Sequence, residues 1–124
     1  MAAHLSSWMS QLPEQKLALS ICELALPGAH NAGANKVEHL PPKVLEAHVG
    51  ALANIFNFGP IQDVAKPIAG APALCQSDGI GALLRQGVRL FDLRLGLHRG
   101  ELHICHTVVC AATFRSVLAE IRSF

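Results

Sequence analysis

Four places in this 124-residue sequence carry side chains that could move protons or hold a phosphate. His30 and Asn31 stand side by side between Gly28 and Gly33, Asp92 and Arg94 are separated by one residue, and His106 follows further on. Two imidazoles, a carboxylate and a guanidinium are the minimal set for cleaving a phosphodiester. One imidazole takes the proton of an attacking hydroxyl and the other protonates the leaving oxygen, because imidazole titrates near working pH. The guanidinium neutralises the phosphate and the charge that grows on its oxygens. Each acid–base group typically contributes ~10²–10⁴-fold.

Each of these residues also has a plainer reading. A His in a loop is commonly a surface residue, and Asp92 with Arg94 could be a same-face ion pair on an exposed strand, worth about 0.2–1 kcal/mol. His106 could be a satisfied core histidine, and Asn31 beside Gly33 could be a turn residue that tolerates positive φ. On composition and spacing alone, the plain readings rank first.

The elements that must position these groups can be read from the pattern of apolar residues. Leu17 to Leu26 (LALSICELAL) is apolar and ends at Pro27-Gly28, which fits a buried strand or a short helix-to-strand passage before a loop. Residues 43–58 carry helical spacing, weakened by Gly50, and residues 59–72 read as an irregular connection. Ser77 or Asp78 can cap a short helix over GIGALLRQ, with Gly87 as its terminating glycine. VRLFDLRLGL then reads as one strand, with Asp92 and Arg94 on the same face. His98-Arg99-Gly100 is a turn, and residues 101–109 form a further strand. Thr113 is an N-cap for a last helix whose Phe114, Val117, Leu118 and Ile121 form an apolar face. The layout is α/β in a single domain. Catalytic groups at or just past strand ends could then converge at one mouth of a parallel sheet.

Composition narrows the function classes. Hydrophobic residues make up 51% and charged residues 15%, a balance that suits a packed core. With ten Lys and Arg against nine Asp and Glu, the chain has no basic run for nucleic acid. The four cysteines lack a CxxC pair, and the N-terminal residues lack the basic and apolar regions of a secretory leader, so reduced thiols and a cytoplasmic location are expected. His103, Cys105, His106 and Cys110 invite a zinc reading, but alternation sets Cys105 opposite His106.

Three stretches carry a family resemblance. LPGAHNAG (residues 26–33) resembles the opening segment of the X domain of phosphatidylinositol-specific phospholipases C. CQSDGIGALLRQGVRLFDLRLG (75–96) resembles the family's second block, and LHICHTVVCAATFRSVLAEI (102–121) is similar to the strand with the second catalytic histidine and the helix after it. The details look closest to the trypanosome-type glycosylphosphatidylinositol phospholipase C and to X-domain-only proteins, with residues 34–74 unmatched.

The resemblance implies the N-terminal part of a distorted TIM-type (β/α)8 barrel, incomplete at 124 residues because a whole barrel takes about 250. It implies cleavage of phosphatidylinositol or a glycosylphosphatidylinositol lipid, at a peripheral membrane contact, to diacylglycerol and a cyclic inositol phosphate. By position His30 is the general base and His106 the general acid, with His103 as its alternative. Arg94 stands where calcium-dependent members place an acidic ligand, so no calcium or other cofactor is expected. Asp92 orients its neighbours or the substrate, and Asn31 replaces an Asp that supports a catalytic histidine. The carboxylate partner of His30 is expected in the absent half, and Cys75-Gln76 is expected to be structural. Trp8, Phe56 and Phe58 are the candidates for membrane docking. A part-barrel of this kind should be weakly stable and poorly active by itself. A phosphoinositide-binding domain without turnover is the alternative, and a metal-dependent glycerophosphodiester hydrolase is disfavoured because Glu23, Asp92 and Glu101 are too dispersed.

Overall fold

The computed structural model describes residues 4–41, 63, 66–67 and 70–124. The helix expected over residues 43–58, and with it Phe56 and Phe58, lies outside the described residues. In chain order the elements are α1 (Glu14–Leu17), β1 (Gly28–Ala29), β2 (Val37–His39), α2 (Ile80–Arg85), β3 (Leu90–Phe91), β4 (Leu95–His98), β5 (Glu101–His106), β6 (Val108–Thr113) and α3 (Phe114–Ser123). Short 3-10 turns occupy Leu5–Gln11, Ile21–Glu23 and Ala71–Ala73.

Two sheets result. β1 and β3 form a parallel pair, and β2-β6-β5-β4 form an antiparallel sheet in that order. The architecture is mixed α/β, and among the described residues the strands close no barrel. Ile104 and Val108 from the antiparallel sheet, Ile80 and Leu84 from α2 and Val117 from α3 are each at most 5% exposed and share one core.

Local chemistry explains the element ends. α3 begins at a capping box in which the Thr113 hydroxyl accepts from the Ser116 N–H and the Ser116 hydroxyl accepts from the Thr113 N–H. α2 ends in a Schellman motif: the Gly87 N–H donates to Leu84 O and the Val88 N–H to Leu83 O, with Gly87 at φ 97°. β4 and β5 are joined by Arg99-Gly100, both at positive φ, as a two-residue type I′ hairpin requires.

Other expectations need correction. The N-cap of α2 is Gly79 rather than Ser77 or Asp78. The Asp78 carboxylate accepts from Gln86 instead, and the orphan N–H of Gly81 is satisfied by Glu120 of α3 at 2.6 Å. VRLFDLRLGL is two strands in two sheets. The backbone of Asp92 is taken by the loop after β1, its N–H donating to Ala29 O and its carbonyl accepting from Ala32 N–H, so the ladder to β5 starts only at Arg94. The run 101–109 is also divided, because the chain reverses at Thr107 (φ 65°) and returns as β6.

Leu17 to Leu26 is not a buried strand: it crosses a 3-10 turn, and Leu17 and Ile21 are 63% and 65% exposed. On α3 only Val117 is buried, while Leu118 and Ile121 stay partly open to solvent. Trp8 is tied down, its indole N–H donating to Gly87 O at 2.8 Å and Arg89 lying over its ring.

All four described cysteines are free thiols. Burial pushes the Cys110 thiol from 9.0 up to about 11. The unfolded chain therefore releases this proton from about pH 9, whereas the folded chain holds it to about pH 11. Stability should fall as pH rises across that window. In urea melts from pH 8.5 to 11, the wild-type stability should drop more steeply with pH than that of Cys110→Ala; equal slopes would contradict this assignment.

Candidate active site

The parallel pair fixes two of the four chemical positions. Gly28 pairs with Leu90 and Ala29 with Phe91, so the next residues of each strand are His30 and Asp92. Both therefore emerge at the carboxyl ends of adjacent parallel strands, where α/β proteins place their ligands. His106 is the last residue of β5, so it too sits at a strand end.

Asp92 is the centre of the first cluster. Its Oδ2 lies 2.9 Å from Nδ1 of His30, accepts from the Asn31 N–H at 3.5 Å, and lies 3.7 Å from Nε of Arg94. With Nδ1–H donating to the carboxylate, the lone pair of His30 is on Nε2, the nitrogen left to accept a proton. Within the described residues the carboxylate at His30 Nδ1 is Asp92, a pairing that the sequence reading did not assign. The His30 side chain is 68% exposed and that of Asp92 44%, so the pair is worth about 0.2–1 kcal/mol and cannot itself hold the loops together. Gly28, Ala29, His30, Leu90, Phe91 and Asp92 line a cleft of about 400 Å³.

A second cluster joins His106 to the same loop. Its Nδ1 lies 3.0 Å from Ala73 O and 3.3 Å from the Cys75 sulfur. That sulfur accepts from the Asn31 amide at 3.3 Å. Asn31, adjacent to His30 and only 2% exposed, therefore connects the two clusters through Cys75. Its amide contacts sulfur and not an imidazole. Among the described residues no carboxylate pairs with His106.

Asn31 adopts φ 49° and Gly33 φ 83°, which folds the loop back on itself. A Cβ on Gly33 would come within 3.1 Å of Ile104, so the loop packs closely on β5. Cys75 and Gln76 staple this loop: both backbone N–H groups donate to Ala34 O, and Gln76 Nε2 donates to His30 O at 2.7 Å. Their structural role is as expected, but the contact of Cys75 with His106 has no signal in the sequence.

The remaining candidates lie elsewhere. The Nδ1 of His103 faces Cys110 O at 2.9 Å, and its ring packs edge-on to His98. Cys105 sits against Gly96, where burial raises its thiol above the ordinary value. The Cys105 sulfur and the His106 ring thus serve different neighbourhoods.

The chain is 28% identical over 123 residues to a Danio rerio protein named PI-PLC X domain-containing protein 3. It is 27% identical over 124 residues to the Homo sapiens protein of the same name. The chain is a distant homologue of the PI-PLC X-domain proteins. These matches cover 96% and 97% of the chain but 37% of each relative, so the chain spans little more than a third of the X-domain proteins it matches. No family model and no solved structure matches it.

The left-handed backbone at Asn31 separates its two roles. Asn31→Gly removes the amide but relieves the backbone, whereas Asn31→Ala removes the amide and keeps the strain. Asn31→Gly should be more stable than Asn31→Ala by about 1–2 kcal/mol in denaturant titrations. An alanine variant as stable as the glycine variant would show that the loop does not hold this conformation.

Proposed function

We propose that the chain carries the acid–base half-sites of a phosphodiesterase that cleaves phosphatidylinositol-type lipids, on a scaffold that is part of a (β/α)8-type barrel. The observation that supports it most is the Asp92 carboxylate on Nδ1 of His30, with Arg94 beside it. A carboxylate at Nδ1 fixes the tautomer and stabilises the imidazolium formed when Nε2 accepts a proton.

In this reading His30 Nε2 takes the proton of the inositol 2-hydroxyl, whose oxygen attacks the phosphorus. The bond to the glycerol oxygen breaks, and that oxygen leaves as diacylglycerol with a proton from His106. The ring of His106 keeps an N–H on Nδ1 directed at Ala73 O, which leaves Nε2 to serve the leaving group. The product is a cyclic inositol phosphate. Arg94 offsets the phosphate charge, so calcium is not required. The protein meets its lipid as a peripheral visitor; no described helix is long and apolar enough to cross a membrane.

The second reading is a phosphoinositide-binding domain without turnover. It is favoured by one observation: His106 has a carbonyl and a sulfur as partners, neither of which stabilises imidazolium as a carboxylate would. An assay of cyclic inositol phosphate release from phosphatidylinositol micelles separates the two. Turnover, even if slow, should fall at least ~10²-fold in His30→Ala and in His106→Ala, and should be unchanged by a calcium chelator. Lipid binding without cyclic product in the wild type would favour the binding domain instead, and loss of activity on chelation would refute the role of Arg94.

A further inference from the structure

We propose that Cys75 is a peroxide-sensitive modification site built into the candidate active site, a thiol that a hydroperoxide converts to a sulfenic acid held between Asn31 and His106. The inference starts from how differently the four thiols are placed. Cys110 is fully buried, and Cys105 is half-buried against Gly96; burial raises both thiols above their ordinary value. Cys22 is exposed on the Ile21–Glu23 turn. Cys75 is exposed as well, yet its sulfur is met by two nitrogens, His106 Nδ1 and Asn31 Nδ2, each at 3.3 Å. Two N–H donors, an imidazole and an amide, converge on this sulfur and are placed to hold the thiolate, the form that acts as nucleophile. The Nδ1–H of His106 is shared between the sulfur and the Ala73 carbonyl, 3.0 Å from the same nitrogen.

An independent observation points to what would occupy the site. Asn31 is 2% exposed, and its Oδ1 is buried without a hydrogen-bond partner among the described residues. An acceptor left this way keeps its desolvation cost without the bond that would offset it. The amide's nitrogen already touches the Cys75 sulfur, so the deficit sits on the group that faces the thiol. A thiol S–H is a weak donor, whereas a sulfenic acid brings an O–H donor and an oxygen acceptor to the same place. The sulfenic acid oxygen can accept from the Asn31 amide N–H that already touches sulfur, and its O–H brings a strong donor beside a side chain that lacks one.

The thiol releases its proton to water, and the thiolate accepts from His106 Nδ1–H and from the Asn31 amide N–H. The sulfur attacks one oxygen of the hydroperoxide; an S–O bond forms and the O–O bond breaks. Sulfur is oxidised by two electrons, and the peroxide is reduced to an alkoxide or hydroxide that takes a proton from water and leaves as alcohol or water. Oxidised Cys75 then engages the imidazole assigned to the leaving group. That consequence for turnover rests on the proposed phosphodiesterase reading; the chemistry at sulfur does not.

The test reads sulfur directly in the intact 124-residue chain. The protein is exposed to equimolar hydrogen peroxide with a cyclic 1,3-diketone that traps sulfenic acids, and labelling of each cysteine is followed by peptide mass spectrometry. Cys75 should label about tenfold faster than Cys22, the excess expected of a thiol in an activating environment. Cys110 should stay unlabelled and so report that the fold is intact. In His106→Gln the Cys75 rate should drop to within about twofold of Cys22. Equal labelling of Cys75 and Cys22 in the native protein overturns the proposal, as does an undiminished Cys75 rate in a folded His106→Gln. Should Cys110 become labelled in that variant, the wild type in urea decides. There the Cys75 excess should vanish, and its persistence would show that local sequence, not the folded cluster, activates the thiol. None of these outcomes depends on lipid cleavage, so the two proposals fail separately.

Discussion

The candidate site depends on a parallel ladder only two residues long. Gly28 and Ala29 run beside Leu90 and Phe91, and the residues that follow each pair are His30 and Asp92. Backbone bonds continue across the strand ends, from Asp92 N–H to Ala29 O and from Ala32 N–H to Asp92 O. These bonds, not the carboxylate–imidazole contact they support, hold the two loops in register. A half-exposed ion pair contributes too little to impose such a geometry, whereas a shift of one residue in the ladder would turn Asp92 away from His30. The charge pair is therefore a consequence of main-chain pairing.

A second junction brings the other imidazole to the same loop. Cys75 accepts from Asn31 through its sulfur, donates to Ala34 O through its backbone and lies against His106. Three distant stretches of sequence meet at this residue. The meeting is possible because the loop is built from small residues: Ala32 and Ala34 are fully buried, and Gly33 lies directly against Ile104. Larger side chains would hold β5, and with it His106, away from the loop. The same crowding buries the Asn31 amide, and among the described residues its Oδ1 has no hydrogen-bond partner.

What could be read from the sequence was local. The Thr113 cap, the terminating Gly87 and the Arg99-Gly100 turn each depend on residues within a few positions, and they appear where expected. The place of His106 late on its strand was likewise legible, whereas Asp92 read as the interior of one strand and His30 as a loop residue after a strand that does not form. What was not legible depends on partners far along the chain. VRLFDLRLGL alternates without interruption, yet Asp92 leaves the ladder because a loop sixty residues earlier claims its backbone. Glu120 caps α2 from another helix, which no pattern near Gly79 could indicate. Leu17 and Ile21 look like core residues by type but have no described surface to cover them. Cys75 read as a structural residue because its partners, Asn31 and His106, lie on either side of it at long range.

In the proposed arrangement the imidazoles of His30 and His106 serve one phosphate. Its most direct test is to titrate the isotopically labelled chain with inositol 1-phosphate and follow the ring signals of both histidines by NMR. The two rings should shift together along a single binding curve, with His103 unaffected. Two separate curves, or a response from His30 alone, would contradict it.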